Sequence, residues 1–463
     1  MLGEKFGRIT KFHAFFGAKM LYIFDPKAMH HVLVKDQDIY GPSPDVLATN
    51  RLMFGDGLLA TAGEHHRRQR KMMNPVFSIN HMRHMIPVFQ EITNTNGPQE
   101  IEMLEWLTRT ALELVGQSGL GYSFDSLAEG SANPYSAAVK MLIPTLSKTT
   151  VTRQFIHLAV KIGPAGFRKW LVRVTPWKTL RKLSDIVDIM DRTSAERVGQ
   201  GKDIMSILLR ANMEADEKDR LPDKELLGQM TTLVFAAMDT TSSALARTFL
   251  TPTQHPEAQE RLRGEVTQAR AEKGVLDYDD LVSLPYLDAV CRETLRVYPP
   301  VTAAVRTARK DAVLPFSRPI TGVNGKELHD VVVPKGTTVV IPKGTTVVIS
   351  ILSANRNREI WGEDALEWKP KRWLSPLPKT VTEAGIPGVY SHLMTFIGGG
   401  RSCIGFKFSQ LEMKVVLASL IEHFSFKAPK EIFWSMGLST PRVKDSQGSK
   451  VRLPLVVDLV KRA

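Results

Sequence analysis

The stretch FIGGGRSCIG, Phe396 to Gly405, holds the residues best placed for chemistry in this chain of 463 amino acids. Three successive glycines, Gly398 to Gly400, let the backbone bend tightly and lie close to a flat ligand. Cys403 then falls at the expected start of a helix, where unpaired N–H groups and the positive end of the helix dipole favour a thiolate. Arg401, two residues earlier, adds a cation able to pair with a carboxylate on the same ligand. A thiolate held in this way is a suitable axial ligand for haem iron. The plainer reading is a structural cysteine behind a glycine turn, and the complete pattern F-x-x-G-x-R-x-C-x-G argues against it.

Three further constellations carry chemistry. Glu293-Thr294-Leu295-Arg296 places an acid and a base one helical turn apart, where they can ion-pair. Ala236-Ala237-Met238-Asp239-Thr240-Thr241 places an acid and hydroxyls inside an apolar helix, which is costly unless they are used or paired. The alternative there is that Thr240 bonds back to a helix carbonyl and Asp239 is paired structurally. In GEHHRRQRKMMNP, Gly63 to Pro75, His66 and Arg70 stand one turn apart and could donate to carboxylates. A solvated basic helix face is the plainer reading of that stretch. Cys291, two residues from Glu293, reads as core.

These residues must be positioned by a largely helical chain. DKELLGQMTTLVFAAMDTTSSALARTFL (223–250) is the longest periodic segment and is apolar all round at its middle, as a buried central helix would be. Asp25-Pro26 reads as the N-cap and first residue of an early helix, and residues 64–127 read as mainly helical. Within that stretch VFQEITNTNGPQE reads as a helix breaking off into a turn. A final helix is expected from about Ile404 to Phe424, then a closing hairpin. Strand-rich parts fall at about 1–35, 301–351 and 433–458 of one domain spanning residues 1–463. Hydrophobic content of 43% allows a sizeable core, and two cysteines exclude a disulfide framework or a multi-cysteine zinc site. Lys and Arg exceed Asp and Glu by 61 to 48, a net charge of +13 that is scattered, without a nucleic-acid-reading motif. An acidic protein partner or an anionic membrane surface suits it better than nucleic acid. The basic, aromatic segment RKWLVRVTPWKTLRKL could be a solvated helix face or a membrane contact through Trp170 and Trp177.

With these motifs in order, the sequence resembles the cytochrome P450 superfamily over nearly its whole length, in particular its microsomal-type, fungal members. Phe396, Gly399, Arg401, Cys403 and Gly405 meet the haem-binding signature, and Glu293 and Arg296 the E-x-x-R motif. Arg372, in EWKPKRW, stands where the family completes that ion pair, with Trp368 in place of the common phenylalanine. Asp239 and Thr240 match the oxygen-activating motif, with Ala237 replacing its usual glycine. His66 and Arg70 stand at a W-x-x-x-R motif that contacts haem propionates, and Arg306 is a further propionate candidate.

The resemblance implies a mainly α fold with small β-sheets, and haem b held between the long central helix and the Cys-loop helix by the Cys403 thiolate. It implies a monooxygenase that inserts one oxygen atom of dioxygen into a lipophilic substrate, with Asp239 and Thr240 delivering protons. Substrate contacts are expected from Leu47 to Leu59, the helices of 138–185, Phe235, Met238, Val301 to Val305, and Met436 to Ser439. Electrons would come from NADPH through a separate cytochrome P450 reductase, with cytochrome b5 as a second donor, at the cytosolic face of the endoplasmic reticulum membrane. The alternatives are a relative that rearranges peroxides and a haem-binding but inactive scaffold. Such microsomal members carry an N-terminal membrane anchor that is not evident here.

PKGTTVVI occurs twice in succession, at Pro334 to Ile341 and Pro342 to Ile349. Two copies do not make a solenoid. In the family one such unit forms a turn and the strand after it, so one copy is expected to pair natively while the other bulges or extends the hairpin. None of the candidate site residues lies within it, and deletion of Pro334–Ile341 is expected to preserve or improve haem incorporation.

Overall fold

A computed structural model describes residues 2–14, 17–74, 99–116, 134–149, 151–196, 204–321, 327–328, 338–341, 344–435, 439–445 and 448–460. The chain forms two compact units.

The first unit comprises Met1–Ser43, Asp288–Phe406 and Met436–Ser439. Its five-stranded sheet runs in the order Ile9–His13, Lys19–Ile23, Thr346–Ser350, Ala303–Ala308, Tyr40–Gly41. Thr346–Ser350 pairs parallel with Lys19–Ile23 and antiparallel with Ala303–Ala308. Val347 and Ile349 lie opposite Leu21 and Ile23, and all four side chains are buried, as the alternation of a half-buried strand requires. Asp25 caps the helix Pro26–His30 as its sequence predicts, accepting from Ala28 N at 3.0 Å.

Both copies of the repeated unit supply strands, but in different sheets. The second copy fills the middle of the five-stranded sheet, and Ser350 directly after it caps the helix Ile351–Asn355, accepting from Ser353 N at 3.1 Å. That cap, with Tyr22 Oη donating to Ser350 Oγ at 2.7 Å, anchors this copy. In the first copy the described residues Thr338–Ile341 pair antiparallel with Ala312–Pro315 in continuous register. The reason lies in the sequence: VVIPKG at 339–344 nearly repeats VVVPKG at 331–336, so a shift of one unit offers Ala312–Pro315 an equivalent partner. The two Pro-Lys-Gly turns fall mostly outside the described residues.

The second unit comprises Pro44–Leu287, Lys407–Ser435 and Thr440–Ala463. The central helix Asp223–Thr253, 31 residues long, packs against the helix Met103–Leu114 and is buried along most of its length. The loop after the helix Pro44–Phe54 lies directly on it: a Cβ at Gly228 would fall 2.7 Å from the Gly57 nitrogen. Gln229 Oε1 accepts from Leu58 N at 2.9 Å. The strand Gln99–Glu102 differs from the helical expectation for that stretch. It pairs with Pro454–Leu459 from the far end of the chain, a partner that local periodicity does not reveal. A three-stranded meander, Ile432–Trp434, Pro441–Asp445 and Gly448–Val451, stands where a hairpin was expected. Most of VFQEITNTNGPQE and Met436 to Leu438 lie outside the described residues.

Candidate active site

In the first unit, the loop before Cys403 is shaped by close backbone approaches. Gly399 has φ +74°, and a Cβ there would meet the Leu33 carbonyl oxygen at 1.8 Å. A Cβ at Gly398 would fall 1.5 Å from the Pro387 oxygen, and Gly400 N donates to Gln37 Oε1 at 3.0 Å. The glycines are therefore required by the chain's own packing around the turn His31–Lys35, a reason distinct from close approach to a ligand. Cys403 N donates to the Phe396 carbonyl at 3.0 Å. Phe396 is buried, edge-on to Tyr390 at 5.7 Å and tilted on Phe406 at 6.0 Å. Cys403 is exposed and forms no disulfide. The helix begins at Phe406, so Cys403 is set before it by a turn containing Ile404 and Gly405, slightly earlier than the sequence pattern predicts. Arg401 is half-buried at the end of the 3-10 turn Gly399–Arg401.

Glu293 and Arg296 are fully buried and bonded at both ends: Arg296 Nε to Glu293 Oε2 and Nη2 to Oε1, each at 2.8 Å. Arg296 also donates to the carbonyls of Asn355 at 3.0 Å, Ala365 at 2.6 Å and Glu367 at 2.9 Å. Arg372 Nε lies 3.5 Å from Glu293 Oε1 and its Nη2 2.9 Å from Asp364 Oδ1. Lys369 N and Trp373 Nε1 complete the shell around Glu293 at 2.9 Å each. Trp373 directly follows Arg372 in KRW, and its neighbour's motif is the one sequence signal for its place in this shell. Trp368 Nε1 donates to Thr294 Oγ1 at 3.0 Å, a bond that phenylalanine could not make.

Arg306, on the strand Ala303–Ala308, is only 9% exposed, and burial pushes its guanidinium below its ordinary value. Its side-chain hydrogen bond is to the neighbouring Val305 carbonyl at 2.9 Å, and no described carboxylate pairs with it. A desolvated cation without a counter-anion is costly, so Arg306 suits a ligand that brings carboxylates. The same unit therefore holds an exposed thiol at Cys403 and a buried cation at Arg306.

In the second unit, His66 is buried and Arg70 half-buried on the helix Gly63–Met73, one turn apart. Asp239 is buried on the central helix, and Thr240 beside it is half-buried. Thr240 Oγ1 donates to the Ala236 carbonyl at 2.7 Å, the back-bond that the plainer reading anticipates. Phe54 and Phe235, from two segments expected to meet substrate, have ring centroids 4.7 Å apart. Cys291 is buried core.

Comparison with known proteins gives a consistent result. The sequence pattern of the family described as Cytochrome P450 matches residues 1–436. Cytochrome P450 monooxygenase 91 of Postia placenta is 49% identical over 99% of this chain and 89% of its own length. A ganoderic acid synthetase of Ganoderma lucidum is 43% identical over 98% of this chain and 88% of its own. A cytochrome P450 monooxygenase of Hericium erinaceus is 35% identical over 98% and 87%.

Proposed function

The chain belongs to the cytochrome P450 family and is a haem-thiolate monooxygenase, and we propose that Cys403 supplies the thiolate while Asp239 and Thr240 manage protons. The observation that carries this assignment is an exposed, non-disulfide Cys403 at the end of a glycine loop whose shape the chain itself enforces. When bound, haem supplies the iron at which dioxygen is activated, one oxygen atom entering the substrate and the other leaving as water. In the first unit Arg306 and Arg401 would pair with propionate carboxylates, and in the second His66 and Arg70 are candidates for that role. Asp239 keeps an acid inside the helix, and Thr240 presents a hydroxyl that can pass a proton from it. Phe54, Phe235, Met238 and the segment Val301 to Val305 offer apolar contact to a lipophilic substrate. A relative named for ganoderic acid synthesis favours secondary metabolism over xenobiotic oxidation as the setting.

Electrons come from NADPH through a separate reductase whose acidic face meets the +13 charge of this chain. Among the described residues no helix is long and apolar enough to cross a membrane. The second unit nevertheless exposes Phe155, Leu158, Phe167, Trp170 and Val174, interspersed with Lys169, Arg173 and Lys178. Phe167 and Trp170 stack at 5.8 Å, and this face rests on the membrane surface, in the family's case that of the endoplasmic reticulum.

The test is turnover by the haem-loaded enzyme against a lipophilic panel. Product one oxygen heavier than substrate should require dioxygen, NADPH and reductase together. A product isomeric with an added peroxide, formed without reductase, would replace the monooxygenase by an isomerase.

A further inference from the structure

A second desolvated cation has no part in the chemistry above. Arg153 lies in the second unit, in the 3-10 turn Thr152–Phe155, where its backbone N–H donates to the Thr149 carbonyl at 2.9 Å. Its apolar neighbours Val151 and Phe155 are exposed, whereas Arg153 is half-buried and its Nε is buried without a hydrogen-bond partner. Among the described residues no carboxylate pairs with the guanidinium, and burial holds it below its ordinary value. The sequence supplies the reason: between Glu129 and Asp185 there is no Asp or Glu, against ten Lys and Arg. Other cations of this stretch have partners. Arg168 donates to the carbonyls of Val160 at 3.1 Å and Gly163 at 2.6 Å, and Lys169 and Arg173 share Asp188. A cation withdrawn from water without a counter-charge is costly, so Arg153 suits a ligand that brings an anion. The surroundings say what else that ligand carries. The turn packs against the helix Pro44–Phe54, which also packs against the central helix. There Phe54 meets Phe235, five residues before Thr240.

We propose that Arg153 binds the carboxylate of a lipophilic carboxylic acid, the substrate's apolar body lying along the helix Pro44–Phe54 toward Phe235 and Thr240. Arg153 is then a specificity-determining residue of the monooxygenase, and the proposal rests on that reading. The acid end is held away from Thr240, so oxidation falls on the apolar part of the molecule. The phosphate of an anionic lipid offers the same charge as a free acid. The apolar contacts that lead from the turn to the central helix favour the acid.

The experiment is equilibrium dialysis of lipid-free holoenzyme in non-ionic detergent against a panel of long-chain fatty acids and triterpenoid acids, each paired with its methyl ester. The native chain should bind at least one acid roughly tenfold or more tighter than its ester, the size of a hydrogen bond between charged groups. Arg153→Gln should erase that preference by weakening the acid alone. It should also melt no lower than native, since it removes an uncompensated cation. Arg153→Lys keeps the charge without the planar fork and should retain part of the preference. A native enzyme that prefers no acid of the panel to its ester would overturn the proposal, as would a preference that survives Arg153→Gln. Should Arg153→Gln melt well below native, Arg153→Lys decides, since an acid preference equal to native there would remove the guanidinium from the site. Weaker binding of Arg153→Gln to anionic vesicles, with no acid preference in detergent, would assign the guanidinium to lipid headgroups instead. Dialysis needs no turnover, so an acid that binds through Arg153 and is never oxidised would count against the monooxygenase reading and leave the site standing.

Discussion

Thr240 carries the sharpest consequence at the scale of a single residue. Its hydroxyl is held on the Ala236 carbonyl at 2.7 Å, beside a buried Asp239. Thr240→Ala removes one hydroxyl and leaves the Cys403 loop untouched. Haem content should stay native while product per NADPH consumed falls about tenfold or more, since a positioned proton donor contributes about 10²–10⁴-fold. Unchanged coupling would assign Thr240 to the helix alone. The motif residues were legible in the sequence because their chemistry is dense: glycines before a cysteine, an acid and hydroxyl in an apolar run. Arg306 was legible only as a candidate, because its 9% exposure and its bond to the Val305 carbonyl depend on strands that pair across the chain. Gln37 gave no signal, because its role in holding Gly400 comes from a distance of 363 residues along the chain.

At the scale of elements, the buried Glu293–Arg296 pair locks the helix Pro285–Val297 to the loop at 355–373. Its bonds reach Asn355, Ala365, Glu367, Lys369 and Trp373, so one salt bridge organises a stretch of short helical turns. Glu293→Ala would leave Arg296 charged, fully buried and uncompensated, at a cost of ~3–5 kcal/mol. The urea midpoint should fall accordingly and haem retention with it, whereas a midpoint within error of native would show the pair to be replaceable. The long central helix was legible because its apolar pattern extends well past any loop length. The strand Gln99–Glu102 was not, because it owes its form to Pro454–Leu459. The repeated unit was half legible: its β-branched residues predict strands, but the sharing of copies between two sheets is set by Ser350 and its cap.

At the scale of the whole molecule, a charge of +13 and an exposed aromatic face act together on partners larger than the substrate. Trp170 is 55% exposed and Trp177 39%, in a segment rich in Lys and Arg. Replacing both with serine should weaken binding to vesicles containing anionic lipid several-fold and leave the spectrum in detergent unchanged. Equal vesicle binding by native and variant chains would return that face to ordinary solvent exposure. The central claim is ligation by Cys403, and the spectrum of the reduced, carbon monoxide-bound protein tests it most directly. The native chain should give the Soret band of thiolate-ligated haem and Cys403→Ala should lose it. A native band typical of histidine or neutral thiol ligation, or one that survives Cys403→Ala, would contradict the account.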